Sequence, residues 1–411
     1  MPLTAPERRK QLTFLIAALT ALSPLTTDLY LPAFPAMGHD LHAGQSAIQL
    51  TLTAYLIGTA VGQLVAGPLS DAHGRIAPLR LALGLYVAIT VVCAFSPNAG
   101  VLIGLRVAQG VIASTSIVVV RALVRDLFEG VEVARFLSRL MTITGLVPIL
   151  APFFGGQLLR VTDWRGVFVL LAVVGAVELA AMSRWLPETN PAHLRTTGGW
   201  PASRAAYRML SKDKVFLGAA LTSSFAFAAL LVYISVASFV FERGYGLSAQ
   251  TFGVIFGINA VFMVSASHVN VRIVGRVRPR PLILTSLLVM TAAAVVLVVV
   301  AATRTAGVVG LMIPLSVMLF AQALVGPNAT AVALADHPEV AGTASAFLGC
   351  LQFVIGALLA PVAGLWSEGS ATAMAALMGA TTLVSLVVFL RVGGQAGGRP
   401  LAPSPEELVA V

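Results

Sequence analysis

The feature that most constrains this sequence is a series of apolar runs, each about as long as a bilayer-spanning helix. A hydrocarbon core of about 30 Å requires about 20 consecutive apolar residues in helical form. Twelve such runs, bounded by charged residues, Pro or Gly, follow one another along the 411 residues. They cover residues 12–33, 47–67, 77–96, 99–120, 136–159, 165–184, 215–240, 248–270, 281–303, 307–330, 341–366 and 371–390. The sequence therefore predicts an all-α integral membrane protein with 12 transmembrane helices.

The composition excludes a soluble protein and makes the lipid bilayer the expected surroundings. Hydrophobic residues account for 58% of the chain and charged residues for 10%, and the mean hydropathy is +0.91. A soluble chain this apolar would lack a polar surface. The net charge of +9 is also found in nucleic-acid-binding proteins, but here the charges lie between apolar runs, so we expect no nucleic-acid partner. Cys93 and Cys350 lie within apolar runs and are predicted to be buried thiols.

The basic residues predict the orientation of the chain. Twelve spans put both termini on one side of the membrane. If that side is the cytoplasm, 21 of the 26 Lys and Arg residues lie in cytoplasmic segments and four in outer loops, while Arg106 lies within a helix. Cytoplasmic loops carry the excess of Lys and Arg in membrane proteins. We therefore predict that both termini are cytoplasmic.

The chain divides near its centre into two halves. Its longest hydrophilic stretch, 187–214, contains Thr, Gly, Pro and several basic residues and is predicted to be a cytoplasmic linker. The sequence Gly-Arg-Ile-Ala-Pro at 74–78 has a counterpart, Gly-Arg-Val-Arg-Pro, at 275–279, and both fall between the second and third runs of their half. The prediction is two pseudo-symmetric six-helix bundles, 1–186 and 215–392, followed by a disordered cytoplasmic tail at 393–411.

Three charged residues lie well inside predicted helices, where a charge is costly and usually functional. Asp28 lies about 24 Å along the first helix, and Arg106 lies about 10 Å below the outer end of the fourth, so both fall in the outer half of the membrane. We predict that they form the proton-coupling site; the alternative is a permanent structural ion pair. Glu178 is either functional or extends toward the cytoplasmic interface near Arg184.

The loop after the second run carries the most informative motif. Glycines permit a tight reversal there, and a charged pair can contact neighbouring helix ends. Gly67, Asp71, Gly74 and Arg75 match the loop signature of the major facilitator superfamily, which this chain resembles, whereas Ala72 and Ile76 replace two residues that are usually basic. The resemblance implies the two-bundle fold and a cytoplasmic gate built on these residues. A charged hairpin without a gating role is the alternative.

Two helix motifs resemble those of proton-coupled exporters in this superfamily. The fourth run contains Arg-Val-Ala-Gln-Gly at 106–110, which resembles the element whose arginine takes part in proton transfer. The fifth resembles the antiporter motif, although Ala151 replaces one glycine; its characteristic residues are Gly145, Pro148, Pro152, Gly155 and Gly156. Small residues permit close helix contact, and proline bends a helix. A tightly packed, kinked helix without directional meaning is the alternative.

Segments 23–35, 121–128, 326–331 and 341–346 narrow the resemblance to the bicyclomycin and chloramphenicol resistance (Bcr/CflA) drug:proton antiporters. That resemblance implies proton-coupled efflux of an antibiotic-like molecule from the bacterial plasma (inner) membrane by a multi-pass protein that functions as a monomer. It also implies that Asp126 pairs with Arg75 at the cytoplasmic gate and that Asp28 senses both proton and drug. The coupling ion is the proton, and no cofactor or metal is expected.

Other polar and aromatic residues are candidates for a substrate cavity, although interhelical packing explains most of them equally well. They are Tyr30, Tyr55, Gln109, Tyr233, Asn259, Gln322 and Gln352. Such a cavity suits neutral or amphiphilic drugs better than sugars. A symporter for a small metabolite remains open as a second function. A membrane enzyme or an ATP-driven pump is disfavoured, because the six histidines form no plausible ligand set and the sequence has no phosphate-binding loop.

Overall fold

The structure is a computed structural model that describes residues 6–127, 147, 150–190, 207–273, 276–337, 340–359, 362 and 369–392. Within these ranges the chain consists of helices and the turns between them, and no β-strand is present. The described part therefore agrees with the predicted all-α class. The central part of the linker and the tail at 393–411 lie outside the described residues.

The described residues of the first half form seven α-helices. They are α1 (Pro6–Asp28), the short α2 (Phe34–Asp40), α3 (Gln45–His73), α4 (Ile76–Ala94), α5 (Ala99–Leu127), α6 (described over 150–158) and α7 (Trp164–Trp185). The described residues of the second half form six long helices. They are α8 (Lys214–Ser238), α9 (Ala249–Ile273), α10 (Pro279–Thr303), α11 (Gly307–Leu334), α12 (Ala341–Leu359) and α13 (Ala371–Arg391).

Within the described ranges, nine helical segments are long and apolar enough to cross a membrane. They match nine of the predicted runs and show a multi-pass membrane protein. The runs at 47–67 and 341–366 correspond to α3 and α12, and the run at 136–159 lies largely outside the described residues. The count of twelve and the cytoplasmic termini stay predictions.

The same helix pairings occur in both halves. In the first half, α5 packs against α1, α3 and α4, and α7 packs against α1 and α4. In the second half, α11 packs against α8, α9 and α10, and α13 packs against α8 and α10. When the long helices of each half are numbered from one to six, both halves pair the fourth helix with the first, second and third, and the sixth with the first and third. A duplicated architecture explains this agreement, while the domain boundaries stay a prediction.

The two described ends of the linker pack onto the halves they adjoin. The Glu188 carboxylate accepts hydrogen bonds from the backbone N–H groups of Arg75 (2.8 Å) and Ile76 (3.1 Å), at the start of α4. At the other end, the side chain of Asp213 caps α8.

Asp213 is a well-satisfied helix cap. It accepts hydrogen bonds from the backbone N–H groups of Val215 (2.7 Å) and Phe216 (3.1 Å) and is hydrogen-bonded to His337 Nε2 (2.8 Å). Burial tends to raise the pKa of Asp213, but the hydrogen bonds from Phe216, His337 and Val215 outweigh it and hold the pKa below its usual range. The carboxylate therefore stays ionised at the start of α8.

Among the described residues, hydrogen bonds between the two halves lie at one end of the bundle. This end, where α1 ends and α3 begins, is called the outer end below, following the predicted orientation. They include those of Thr53 to Ala357 O (3.2 Å), Arg243 to Pro35 O (3.0 Å), Gln250 to Gly156 O (2.8 Å) and Gly369 N to Gln45 Oε1 (2.9 Å). These contacts hold the outer end closed.

Glycines bring the backbones of α3 and α5 into direct contact. A methyl group at Gly110 would lie 2.1 Å from the carbonyl oxygen of Tyr55, and one at Gly58 would lie 2.2 Å from that of Val107. No side chain fits at these positions without moving a helix. The two helices that carry the buried Arg106 and its neighbour Tyr55 are thereby fixed against each other.

Gly110→Ala is expected to destabilise the protein by about 1–3 kcal/mol, because the added methyl group must force α3 away from α5. Gly104→Ala is the matched control, since Gly104 lies on the same helix with no atom within 4 Å of an added methyl group. It should be neutral or stabilising by up to about 1 kcal/mol. Thermal unfolding of the two purified variants in detergent measures the difference. Equal unfolding temperatures would contradict the close contact.

Candidate functional site

Arg106 is the centre of the candidate site and is fully buried, with 0% of its surface exposed. Its guanidinium donates hydrogen bonds to Gln109 Oε1 (2.7 Å), to the carbonyl oxygen of Thr51 (3.3 Å) and to that of Thr26 (3.4 Å). The Thr26 carbonyl is available because α1 ends at Asp28, so the last carbonyls of the helix lack intrahelical partners. Neutral oxygen atoms therefore satisfy this buried cation.

Aromatic rings enclose the same guanidinium. Its central carbon lies 4.5 Å from the ring centroids of both Tyr30 and Tyr55 and 5.9 Å from that of Phe168. Such cation–π contacts strengthen when they are shielded from water. Tyr30, Tyr55 and Gln109, which were all predicted as cavity residues, are thus brought together around Arg106.

Hydrogen bonds extend this cluster to α1 and α4. Gln109 Nε2 donates to Thr90 (2.7 Å), and the Tyr55 hydroxyl shares a hydrogen bond with Ser23 (3.0 Å). The hydroxyls of Thr26 and Tyr86 are 2.6 Å apart. Four helices of the first half therefore meet in one buried polar network. Arg106 can move only if several of these contacts change together.

Asp28 lies at the last residue of α1 and is 5% exposed. Among the described residues it forms no ion pair with Arg106, because none of their charged atoms approach within 4.0 Å. The alternative of a permanent ion pair is therefore wrong for this arrangement, and the reason is that neutral groups already satisfy Arg106. Tyr30 lies within electrostatic range of both residues. Asp28 is therefore a buried carboxyl that has no counter-ion within the part of the chain that the structure describes.

The predicted cavity residues of the second half form separate interhelical contacts. Asn259 donates to the Tyr233 hydroxyl (3.0 Å) and accepts from Ser316 (2.7 Å). Gln352 donates to Ser223 (2.7 Å). In this arrangement Tyr233, Asn259 and Gln352 form contacts between helices, as the alternative to a substrate cavity predicts. Gln322 is buried, and its Oε1 has no partner among the described residues.

Arg75 occupies the opposite, inner end. Its side chain donates to Asp126 (3.2 Å) and to Ser70 (2.9 Å). The contact with Asp126 that the family resemblance implies is therefore present, while its role in gating stays a prediction. Gly74 has a φ of +87° and ends α3. Gly67 and Asp71 belong to α3 by their backbone, and the side chain of Asp71 lies outside the described part.

Glu188 and Ser70 complete this inner network and were not predicted from the sequence. Glu188 is 113 residues from Arg75, and it lies in the stretch interpreted only as a linker. Its only sequence signal is weak: it is an acidic residue shortly after the end of α7. Its pairing with the start of α4 depends on how α4 and α7 pack.

Glu178 lies on the stripe of α7 that faces the bundle and is 6% exposed. The same stripe contains Gly175 and Met182. The idea that Glu178 extends to the cytoplasmic interface is wrong for this arrangement, because a side chain on this stripe points into packed helices. Its Oε2 has no partner among the described residues.

The described part of the antiporter motif contacts both halves. Gly145 and Pro148 lie outside the described residues. A methyl group at Gly155 would lie 2.0 Å from the Leu29 carbonyl oxygen, and one at Gly156 would lie 2.7 Å from that of Ala249 in the second half. A methyl group at Gly253 would lie 2.7 Å from the carbonyl oxygen of Pro152. These small residues bring α6 against the end of α1 and the start of α9.

Long apolar helices that surround a buried charge, in a bundle whose halves meet at one end, are typical of membrane transporters. The chain belongs to the Major Facilitator Superfamily, whose family model matches residues 16–361. It is 35% identical over 386 residues to the uncharacterized MFS-type transporter YdgK of Bacillus subtilis, covering 93% of this chain and 95% of that one. It is a transporter rather than an enzyme.

Other relatives agree with the predicted resemblance to drug exporters. The chain is 29% identical to the bicyclomycin resistance protein homolog of Haemophilus influenzae, covering 91% of this chain and 94% of that one. It is 27% identical to multidrug resistance protein D of Escherichia coli, covering 93% and 95%. The family recognition from sequence motifs is thereby confirmed.

Solved transporter structures share the fold. A D-xylose–proton symporter superposes with a TM-score of 0.77 at 15% identity, covering 95% of this chain and 99% of that one. A bacterial homolog of the human lysosomal transporter Spinster, inward-facing and occupied, superposes with a TM-score of 0.75 at 14% identity, covering 97% and 100%. At such low identity these matches establish the architecture and not the substrate.

Gln109→Leu is expected to destabilise the protein by about 2–3 kcal/mol, because Arg106 and Thr90 each lose a buried hydrogen-bond partner. Gln322→Leu is the control, since it removes a buried amide whose Oε1 is unpartnered, and it should change stability by less than about 1 kcal/mol. Thermal unfolding of both purified variants measures the contrast. A larger loss for Gln322→Leu would show that the Arg106 network contributes little.

Proposed function

We propose that this protein exports a drug-like small molecule in exchange for protons, across the bacterial plasma (inner) membrane and by alternating access. The observation that carries the proposal is the buried carboxyl of Asp28, which has no counter-ion among the described residues and lies, like the enclosed cation of Arg106, within electrostatic range of Tyr30. The names of the resistance-protein relatives support the export of antibiotics, in the class of bicyclomycin or chloramphenicol.

Asp28 is the proposed proton carrier. An isolated charge inside the membrane is costly, so a buried carboxyl without a counter-ion is best occupied by a proton. A drug that enters from the cytoplasm disturbs this environment and favours loss of the proton. Protonation of Asp28 from the outside then returns the empty carrier. Proton and drug thus bind to alternative states of the same site.

Arg106 is the proposed partner of the ionised state. When Asp28 carries a proton, Arg106 is held by Gln109 and by backbone carbonyl groups. When Asp28 is ionised, the guanidinium moves to compensate the buried charge. Its hydrogen bonds to neutral oxygens cost less to break than an uncompensated ion costs to keep. The arginine therefore alternates between two sets of partners.

Alternating access requires that one end opens as the other closes. The outer end is closed by contacts between the halves, including those of Gly156 and Gly253 with the opposite backbone. In the proposed cycle the inner network of Arg75, Asp126 and Glu188 changes partners when the inner end closes. Twelve spans, cytoplasmic termini and a functional monomer complete the proposal, with the proton as the only coupling ion.

The proposal predicts that Asp28→Asn loses proton-dependent export. In proteoliposomes with an imposed pH gradient, drug export by Asp28→Asn should fall at least about tenfold, the equivalent of about 1.4 kcal/mol. Arg106→Lys should also lose coupling, because lysine keeps the charge but not the planar set of donors. A panel of chloramphenicol, bicyclomycin and a cationic dye supplies the substrates.

Glu178→Gln is the matched control, because it neutralises another buried carboxyl of the first half that has no described contact with Arg106. It should keep its proton dependence. Normal, proton-dependent export by Asp28→Asn would contradict the coupling role. Accumulation of a substrate in the direction of proton flow, by the wild type, would instead identify a symporter.

A further inference from the structure

A row of aromatic rings runs from Arg106 to the second half of the protein. The Arg106 guanidinium lies over the ring of Tyr30 (4.5 Å), and Tyr30 meets Phe34 edge to face with centroids 4.9 Å apart. Phe34 in turn contacts Phe239, with centroids 5.9 Å apart. All three aromatic side chains are fully buried. The row therefore links the buried cation to the opposite half by direct contacts.

The far end of the row is held at the outer end. Arg243 lies over the Phe239 ring (5.4 Å) and donates to the Pro35 carbonyl (3.0 Å). Among the described ring contacts, that of Phe34 with Phe239 is the one that joins the two halves. We call this pair the outer seal.

The backbone at both sides of the outer seal departs from a regular α-helix. Phe239 is the first residue of a π-helical turn, Phe239–Gly244, at the end of α8. Phe34 begins α2 after a short 3₁₀ turn, Leu31–Ala33. Wide and tight helical turns often occur where a protein changes shape. Both rings of the outer seal therefore lie on segments suited to rearrangement.

We propose that Tyr30 couples the position of Arg106 to the outer seal. While the guanidinium rests on Tyr30, that ring is held against Phe34, and Phe34 against Phe239. When an ionised Asp28 draws Arg106 away, the row loses its support and the outer end opens. This inference rests on the proposed function, and it makes Tyr30 a positioning residue for transport.

The order of events agrees with export. Loss of the proton from Asp28 to the cytoplasm, on drug binding, releases Arg106 and opens the outer end for drug release. Protonation from outside returns Arg106 to Tyr30 and closes it. Among the described residues, the titratable groups within electrostatic range of Arg106 are Tyr30, Tyr55, Tyr86 and Cys93, and Asp28 lies within electrostatic range of Tyr30. Phenols and thiols are ordinarily neutral at neutral pH, so the carboxyl is the group that changes charge.

Accessibility of the outer end tests this coupling without any drug. Gln49→Cys, in the full chain with Cys93→Ala and Cys350→Ala, places one thiol at a fully buried position one turn into α3. A membrane-impermeant maleimide added to intact cells then reports opening of the outer end. Tyr30→Leu should label about three- to tenfold faster, the equivalent of losing one or two aromatic contacts. Tyr30→Phe keeps the ring and should label at the unmodified rate.

A matched pair of variants tests the outer seal itself. Phe239→Leu should label faster, whereas Phe241→Leu should not. Phe241 is equally buried on the same turn but contacts Phe252 and Tyr245 within its own half. Because both variants lose one ring from one segment, a general loosening would affect them equally. Equal labelling of the two would contradict the proposed seal, even if Tyr30→Leu failed to fold.

Combining variants tests whether Arg106 acts through Tyr30. Arg106→Lys alone should also speed labelling, and the double variant with Tyr30→Leu should label no faster than either single variant. If the increases in labelling rate of the two single variants multiplied in the double variant, the proposed coupling would be wrong. Export by the unmodified protein is measured in parallel. If it exports drug by proton exchange but Tyr30→Leu labels slowly, the coupling is wrong and the proposed function stands. If labelling follows the prediction without drug export, only the proposed function is wrong.

Discussion

The burial of one positive charge organises the first half of this protein. Arg106 has no exposed surface, so every donor of its guanidinium must find an acceptor within the bundle. Gln109, the free carbonyl at the end of α1 and the rings of Tyr30 and Tyr55 supply these partners. The glycine contacts between α3 and α5 then hold the surrounding helices at the distance that this arrangement requires.

The two ends of the molecule are built from different interactions. The outer end is closed by hydrogen bonds from the exposed Arg243 and from Thr53 to backbone carbonyl groups and by an aromatic pair across the halves, which can separate without leaving a charge buried. The inner end carries the ion pair of Arg75 with Asp126 and the Glu188 contact, all within the first half. In the proposed mechanism, a change of charge near Arg106 acts on the outer contacts through Tyr30, and the charged inner network changes partners in the same motion.

The sequence predicted the helices and the identity of the buried charged residues, because apolar run length and rare intramembrane charges are local signals. It also predicted the contact of Arg75 with Asp126, through the family resemblance. It did not predict that neutral groups satisfy Arg106 in place of Asp28, since that depends on where α1 ends and which carbonyl it leaves free. Likewise Glu188 was missed, because side-chain pairing across helices has no local sequence signal. Tyr233, Asn259 and Gln352 form interhelical contacts, which is the alternative that the sequence left open.

The most direct measurement of proton exchange at Asp28 is the number of protons released when drug binds the purified protein. Calorimetric titration with the panel drug that the wild type exports fastest, in two buffers of different ionisation enthalpy, gives this number. We expect the release of about one proton by the wild type and none by Asp28→Asn. Drug binding without proton release by the wild type, or equal release by Asp28→Asn, would contradict a proton shared with the drug at this carboxyl.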